Sequence, residues 1–258
     1  GPGEVVLLHG VTGSGKTEVY LQAIEEVVTR GSSAIVLVPE ISLTPQAVGR
    51  FRSRFGDAVA VIHSRLGAGE RRDEWDRISA GSCTVVVGAR SALFAPVRDL
   101  GIVVIDEEHS TSYKHAQSPR YEAQRVATEL ARSRQCPVVL GSATPRMESM
   151  EAARAGQFTR VELPARVGGG TLPEVAVVDM SEEFEAGNRS MFSRPLAGAL
   201  QEAAAAGERS VLLLNRRGFA SFLLCRECGH VPQCDSCATS MTYHQTDGSL
   251  LACHHCNA

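Results

Sequence analysis

The residues best suited to chemistry lie in a glycine-rich segment near the start of the chain. Residues 10–17 read G-V-T-G-S-G-K-T, which fits the pattern G-x-x-x-x-G-K-[ST] of a phosphate-binding loop. Its glycines allow tight turns that point backbone N–H groups at phosphate oxygens. Lys16 is expected to reach the β- and γ-phosphates of a nucleotide, and the Thr17 hydroxyl to hold magnesium. The residues expected at the bound nucleotide are Gly10, Gly13, Ser14, Gly15, Lys16, Thr17 and Asp106.

Acidic residues follow a second apolar run. Residues 102–105 are all β-branched, and Asp106, Glu107, Glu108 and His109 come directly after them. The run predicts a buried strand that ends at the acids, beside the phosphate loop. One carboxylate there would order the magnesium shell, and the next would polarise the attacking water.

A hydroxyl-rich turn, G-S-A-T-P, follows the next apolar run at residues 141–145. Ser142 and Thr144 could join a nucleotide site to a nucleic-acid site by hydrogen bonds. Ser and Thr before Pro also form ordinary turns and helix caps, so order and spacing carry this interpretation.

Six of the eight cysteines form three C-x-x-C pairs near the C-terminal end. Without a secretion signal, such pairs favour metal over disulfides. The two later pairs match a four-cysteine zinc spacing, and such a closed site is structural or takes part in recognition. The first pair is left over, and a histidine could complete its site, although solvated histidines are the plainer alternative. The metal-ligand candidates are Cys225, Cys228, Cys234, Cys237, Cys253 and Cys256, and the histidines are His230, His244, His254 and His255.

The elements that must position these residues alternate along the chain up to residue 165. Short β-branched runs alternate with amphipathic segments, which predicts an α/β fold with a parallel sheet and helices on both faces. The predicted strands are 5–8, 34–38, 59–62, 84–87, 102–105 and 137–140, and the predicted helices are 17–30, 43–55, 70–79 and 121–134.

A glycine-rich linker at 166–174 separates this region from a second predicted α/β unit at 175–222. Strands are expected at 175–179 and 211–214, with a helix over 194–206 between them. The cysteine-rich segment at 223–258 follows.

The composition limits the function classes. Hydrophobic residues make up 43% of the chain and charged residues 21%, as in an ordinary soluble globular protein. No apolar run is long enough for a transmembrane helix. The net charge of −3 means that nucleic-acid contacts must come from local patches.

One such patch interleaves cations with aromatic residues at 112–121. It holds Tyr113, Lys114, Arg120 and Tyr121, and Lys114 is one of only two lysines in the chain. The pattern is typical of a surface that stacks bases and holds phosphates. The alternative is that the tyrosines pack on the sheet edge.

Several further segments carry a resemblance that runs almost from end to end. They are residues 10–20 (G-V-T-G-S-G-K-T-E-V-Y), 38–46 (V-P-E-I-S-L-T-P-Q), 63–66 (H-S-R-L) with Glu70, Arg71 and Trp75, 87–96 (V-G-A-R-S-A-L-F-A-P), 106–109 (D-E-E-H), 141–145 (G-S-A-T-P), 215–219 (N-R-R-G-F) and the cysteine pairs. In these segments the chain resembles a superfamily 2 helicase, and more narrowly the PriA family of replication-restart helicases. The chain corresponds to a middle section of such a protein, so we expect a fragment. It departs from the family pattern at Arg146, Met147 and Phe219, which look like tolerated substitutions.

The resemblance implies a RecA-like first helicase lobe at 1–165, which binds ATP and Mg²⁺, then the start of a second lobe with an incomplete zinc-binding insertion at 223–258. In the family, Cys225 and Cys228 pair with a fourth cysteine pair that this chain lacks. The implied catalytic residues are Lys16, Asp106, Glu107 and His109, and the implied coupling residues are Ser142 and Thr144. The implied DNA contacts are His63, Arg90, Tyr113, Lys114, Arg120 and Tyr121.

The implied activity is ATP-dependent 3′-to-5′ translocation that remodels stalled forks and promotes primosome assembly. The implied partners are forked and single-stranded DNA, primosome proteins and single-strand-binding proteins, in the bacterial cytoplasm at the nucleoid. The family's second lobe supplies an arginine to the transition state. We therefore expect this chain alone to turn over ATP slowly and not to act as a competent helicase. The alternative is an ATPase-deficient DNA-binding scaffold.

Overall fold

β-branched runs in the first part of the chain form a parallel sheet in the computed structural model. The structure describes residues 3–169, 173–213, 225, 230–244, 250–253 and 256. These fall into two compact units, Gly1–Leu172 and Pro173–Ala258, and each is described by itself.

The first unit is a seven-stranded sheet with order β3-β4-β2-β5-β8-β1-β9, and all its neighbouring strands are parallel. The strands of the unit are β1 (Val5–Gly10), β2 (Ser33–Leu37), β3 (Val59–Ile62), β4 (Val85–Gly88), β5 (Leu100–Asp106), β6 (Lys114–His115), β7 (Tyr121–Glu122), β8 (Val138–Ser142) and β9 (Thr159–Leu163). The helices are α1 (Lys16–Thr29), α2 (Pro45–Phe55), α3 (Ala68–Ala80), α4 (Ala123–Arg134) and α5 (Met147–Arg154).

Both faces of the sheet are covered, as the sequence predicts. Successive residues of a strand point to opposite faces, so Ile35 and Leu37 belong to one apolar cluster and Ala34 and Val36 to the other. Helix α4 packs on the first cluster through alanines spaced by four residues, and α1 packs on the second through Tyr20 and its neighbours. The α/β fold with a parallel sheet is confirmed.

The sequence did not predict helix α5 (Met147–Arg154), and two further parts of the first unit differ from the prediction. Strand β9 pairs with β1 at the sheet edge, and its T-R-V-E-L sequence is largely exposed, so it lacks the apolar run by which the other strands are found. The predicted helix over 121–134 begins at Ala123, because Tyr121 and Glu122 pair with β6 in a short antiparallel hairpin. We call β6, β7 and their connection (residues 114–122) the aromatic hairpin.

The second unit contains helices α6 (Met180–Glu185) and α7 (Arg194–Ala205) and strands β10 (Thr242–His244) and β11 (Leu250–Ala252). The helix over 194–206 is confirmed, and the Ser193 hydroxyl caps it by accepting a hydrogen bond from the Leu196 N–H.

The strands predicted at 175–179 and 211–214 are wrong as far as the structure describes them. Residues 175–179 and 211–213 form no strand, and Val177 and Val211 are more than 90% exposed. A strand needs a partner for its backbone groups, and in the described part of this unit β10 and β11 pair only with each other. Leu214 lies outside the described residues.

Among the residues that the structure describes, no helix combines the length and the apolar character needed to cross a membrane.

Candidate functional site

The phosphate loop connects β1 to α1, and its geometry requires glycine at three positions. Gly13 and Gly15 have φ of +81° and +88°, a backbone region that favours glycine. At Gly10, a Cβ would lie 2.5 Å from Ser14 Oγ. Helix α1 begins at Lys16, so its N-terminal N–H groups lie at the loop and can bind an anion.

Two polar groups in this loop suit phosphate oxygens. Ser14 Oγ is buried and has no hydrogen-bond partner among the described residues. The Lys16 ammonium is buried and donates to the Gly10 carbonyl over 2.7 Å. Buried polar groups are normally paired, so the orphaned hydroxyl and the buried cation fit the phosphates of a nucleotide.

A cavity of about 800 Å³ opens on the loop, a volume in the range of small-molecule sites. It brings together residues of the loop, the acidic motif and two cationic side chains from α2. The lining includes Thr12, Gly13, Ser14, Gly15, Lys16, Thr17, Arg50, Arg54, Asp106, Glu107 and Val167. All the predicted nucleotide residues except Gly10 therefore line one cavity together with Glu107.

Asp106 ends β5 and is held at both its side chain and its backbone. The Tyr20 hydroxyl donates to Asp106 Oδ1 over 3.0 Å, and the Tyr113 hydroxyl donates to the Asp106 carbonyl over 2.6 Å. Burial raises the pKa of the Asp106 carboxyl, and the Tyr20 hydrogen bond opposes part of that rise. Burial and the nearby Asp106 raise the pKa of Tyr20, so its hydroxyl stays a donor.

Tyr20 is a site residue that the sequence reasoning missed. It lies one helical turn after Lys16, so both side chains project from the same face of α1, and this spacing could have revealed it. Its hydroxyl fills the space beside Gly141, where a Cβ would lie only 1.5 Å from the tyrosine oxygen. The glycine of the G-S-A-T-P turn is thus required by the tyrosine that positions Asp106.

The acidic motif also meets the hydroxyl-rich turn. His109 Nδ1 lies 2.7 Å from Ser142 Oγ and 3.5 Å from Glu107 Oε2. Ser142 Oγ accepts a hydrogen bond from the Thr144 N–H. Glu107 has a φ of +48°, a strained conformation of the kind found at functional sites. The structure thus joins the acids to the two predicted coupling residues.

The residues that were predicted to contact DNA differ in how far they are exposed to solvent. Lys114 and Arg120 are exposed on the aromatic hairpin. Tyr121 is half-buried, stacks on His115 with ring centroids 5.1 Å apart, and meets Phe94 edge-on.

Arg90 and His63 lie nearer the protein interior. Arg90 Nη1 donates to the carbonyls of Ser112 and Lys114, over 2.8 and 3.4 Å, so Arg90 supports the start of the hairpin. His63 is half-buried, and its Nδ1 has no partner among the described residues.

Tyr113 was expected to contact DNA, but the structure places its side chain in the core. Its side chain is only 3% exposed and lies in the core, with its hydroxyl bound to Asp106. A side chain so buried has no face on which a base could stack. For Tyr113 the alternative of packing against the sheet holds, because its ring completes the core and its hydroxyl finds a buried acceptor.

Four cysteines of the second unit form a compact cluster. The ligand atoms of Cys234, Cys237, Cys253 and Cys256 all lie within 4.8 Å of one another. Cys234 Sγ is 3.5 Å from Cys256 Sγ, and Cys237 Sγ is 3.4 Å from Cys253 Sγ. Four thiols so close together can surround one metal ion tetrahedrally.

Local hydrogen bonds favour the thiolate forms that bind metal. The Thr239 hydroxyl lowers the pKa of Cys237 to about 6, and the backbone N–H of Ser236 lowers the pKa of Cys234. Ala238, with a φ of +55°, closes the turn by donating to the Cys234 carbonyl.

Cys225 and His230, the further metal-ligand candidates whose side chains the structure describes, are not part of this cluster. Cys225 is exposed, and its backbone N–H donates to the His230 carbonyl. Cys228, His254 and His255 lie outside the described residues, as does the N-R-R-G-F segment. A metal role for Cys225 and Cys228 stays a prediction.

The phosphate loop, the acidic motif and the parallel sheet define a nucleotide-binding helicase domain. The family model of DEAD/DEAH box helicases matches residues 2–153, and the chain belongs to this family. It is 56% identical over 253 residues to the replication restart protein PriA of Bacillus subtilis (strain 168), covering 98% of this chain and 31% of that protein. It is 49% identical over 260 residues to PriA of a Synechocystis species, with the same coverage. The chain thus spans about a third of the length of these relatives.

Among solved structures, the helicase domain of Hef from Pyrococcus furiosus matches with 21% identity and a TM-score of 0.47. That match covers 79% of this chain and 45% of the other.

Proposed function

We propose that this chain is part of an ATP-dependent DNA helicase of replication restart, which moves 3′ to 5′ and remodels stalled forks. The observation that carries the proposal is that Lys16 and Ser14 line one cavity with Asp106 and Glu107, and that Ser14 Oγ has no partner within the part of the chain that the structure describes. The high identity to proteins named for replication restart supports the choice of pathway.

The loop and the acids divide the work of hydrolysis. Bound ATP with Mg²⁺ would supply the leaving group and neutralise its charge. Lys16, Ser14 and the backbone N–H groups of the loop would hold the phosphates, while Thr17 and Asp106 would hold the metal. Glu107 would orient a water and accept its proton at a carboxylate oxygen.

Coupling to DNA would begin at His109. Its contact with Ser142, which in turn binds the Thr144 N–H, links the acids to the G-S-A-T-P turn. A change in the acids during hydrolysis would reach this turn through that contact.

Single-stranded DNA would lie along His63, Arg90 and the aromatic hairpin. Exposed cations at Lys114 and Arg120 would hold phosphates, and Tyr121 would stack on bases. Forked DNA, primosome proteins and single-strand-binding proteins are the proposed partners, at the nucleoid of a bacterial cell.

The four clustered cysteines would hold one structural zinc, because a Cys₄ site leaves no coordination position open for catalysis. We also propose that residues 175–222 begin a second helicase lobe and that 223–258 form a zinc-binding insertion in it.

The test is ATP hydrolysis by the full-length protein with and without forked DNA, compared between wild type and Lys16→Ala. The proposal predicts strong stimulation by DNA in the wild type and its loss, by at least about 100-fold in rate, in Lys16→Ala. Arg30→Ala, which removes an exposed cation at the end of the same helix, is the matched control and should keep wild-type rates. Fork binding without hydrolysis in the wild type would instead indicate a DNA-binding scaffold.

A further inference from the structure

Arg146 carries contacts that neither the nucleotide site nor the DNA candidates explain. It directly follows the G-S-A-T-P turn, at a position where the sequence departs from the family pattern. Its Nη1 donates to Glu122 Oε1, and also to Gln124 Oε1 over 3.2 Å. The Arg146 and Glu122 side chains are only 29% and 26% exposed, so water screens this ion pair less than an open surface pair.

The backbone of Arg146 binds a different partner. Its N–H donates over 2.8 Å to Glu108 Oε1, and Glu108 is the third residue of the acidic motif. The Glu108 side chain is 1% exposed. A carboxylate this deeply buried needs fixed donors, and Ser149 Oγ supplies a second one over 3.1 Å.

These contacts close into a ring. Gln124 Nε2 donates to Ser149 Oγ over 3.1 Å, so Glu108 also reaches Gln124 through Ser149. Glu108 is anchored to the sheet as well, because its N–H donates to the Gly141 carbonyl. Arg146 is therefore bound through its backbone to the acidic motif and through its side chain to Glu122 at the base of the aromatic hairpin.

The two partners of Arg146, Glu108 and Glu122, adjoin different proposed sites. Glu108 follows Glu107, which lines the nucleotide cavity. Glu122 follows Tyr121, which stacks on His115 in the hairpin. The guanidinium is planar and carries several donors in a fixed geometry, so it can hold the Glu122 carboxylate and the Gln124 amide oxygen in one arrangement.

We propose that Arg146 is a positioning residue that fixes the aromatic hairpin relative to the acidic motif, so that single-stranded DNA bound on the hairpin accelerates ATP hydrolysis. The inference rests on the proposed function. It assigns Arg146 no contact with nucleotide or DNA, and Glu122 serves only as its partner.

The test is a double-mutant cycle in the full-length protein with Glu122→Gln, Arg146→Gln and the double variant. Three quantities are measured: ATP hydrolysis without DNA, hydrolysis with saturating single-stranded DNA, and the midpoint of thermal unfolding. Glu129→Gln is the matched control, because it breaks an exposed ion pair with Arg132 on α4, the helix that begins directly after Glu122.

Each single variant should lower the stimulation by DNA roughly 3- to 10-fold, which lies within the range expected for residues that couple distant sites. Hydrolysis without DNA should stay unchanged, as should both rates in Glu129→Gln. The double variant should be no worse than Arg146→Gln, because each single variant already removes the ion pair between Glu122 and Arg146.

Three outcomes would overturn the inference while the proposed function stands. They are an unchanged stimulation ratio, a parallel fall of both rates with a lower unfolding midpoint, and independent effects that multiply in the double variant. A wild-type protein that DNA does not stimulate would instead overturn the proposed function, and the inference with it.

Discussion

The two units of this chain are ordered by different physical means. The first unit excludes most of its strand residues from water, and Leu7, Ile35, Leu37 and Leu140 are completely buried. In the described part of the second unit, the buried residues are Glu183, Ser193, Cys234 and Cys253, and none is a large aliphatic side chain. The first unit therefore relies on apolar burial, whereas the part of the second unit that the structure describes is held by polar contacts and a cluster of thiols.

The difference teaches where each unit is vulnerable. Burial of a Leu or Val side chain contributes about 1.5–3 kcal/mol, spread over many residues. A structural zinc site concentrates an apparent 10–16 kcal/mol of binding free energy on four ligands. The stability of the first unit should therefore depend on the volume of its buried side chains. The stability of the second unit should depend on bound metal and on pH.

The largest expected effect is loss of metal from the second unit. Cys237→Ser should reduce the zinc content of the purified protein from one equivalent to none, because three thiolates no longer close the site. The cysteine-rich segment should then become sensitive to protease, while the first unit keeps its unfolding midpoint. Zinc is measured by elemental analysis.

Cys83→Ala is the matched control, because Cys83 is buried in the core of the first unit and lies outside the cluster. It should keep the full zinc content. Zinc retained by Cys237→Ser would contradict the proposed zinc site.

The next largest effect is a loss of stability in the first unit when a core side chain is truncated. Leu37→Ala empties a fully buried position in β2, an interior strand of the sheet, and should cost about 2–5 kcal/mol of unfolding free energy. The zinc content should not change. Chemical denaturation followed by fluorescence or circular dichroism measures the loss.

Ile41→Ala provides the comparison, because Ile41 is 91% exposed and its truncation should cost less than about 0.5 kcal/mol. Equal losses in the two variants would show that the sheet does not carry the stability of this unit.

A smaller effect is expected where the core meets the site. Tyr20→Phe removes the hydroxyl that donates to Asp106 and should cost about 1 kcal/mol of stability. The carboxylate loses a fixed donor, so ATP turnover in the full-length protein should fall about 3- to 10-fold with little change in nucleotide binding. Wild-type turnover in Tyr20→Phe would show that Asp106 does not depend on this contact.

The smallest effect is a pH dependence in the second unit. The backbone N–H and guanidinium of Arg194 lower the pKa of Glu183 from 4.5 to about 2. A carboxyl whose pKa is lower in the folded state stabilises it above the unfolded pKa and loses that contribution as the pH falls. The stabilising effect should be complete above about pH 4.5 and should disappear as the pH approaches about 2.

Glu183→Gln provides the check by helical circular dichroism in urea. The variant should be less stable than the wild type at pH 6 and equal to it near pH 2. A difference that does not vary with pH would mean that the charge of Glu183 has no part in it.

The sequence predicted six of the seven strands of the main sheet, because each is an apolar, largely β-branched run that is mostly buried. It missed β9, since an edge strand with alternating charges has no such run. The strands expected at 175–179 and 211–214 failed for the opposite reason, because apolar residues alone do not supply a pairing partner.

The candidate site likewise contains residues that the sequence could predict and residues that it could not. The loop and the acids follow from local motifs, so Lys16 and Asp106 could be placed in one cavity before the fold was known. Tyr113 could not be placed, because whether an aromatic ring faces solvent or core depends on packing that a local pattern does not contain. The hydrogen bond between Arg146 and Glu122 joins residues 24 positions apart, and no local sequence motif predicts such a contact.

The most direct test of the central claim is nucleotide binding by this 258-residue chain itself. Equilibrium titration with Mg²⁺ and ATP would compare wild type, Lys16→Ala and Arg30→Ala. If the cavity is a nucleotide site, wild type and Arg30→Ala bind equally, and Lys16→Ala binds about 10- to 100-fold more weakly because a charge-assisted hydrogen bond is lost. Equal affinity in all three proteins would contradict the assignment of the phosphate loop.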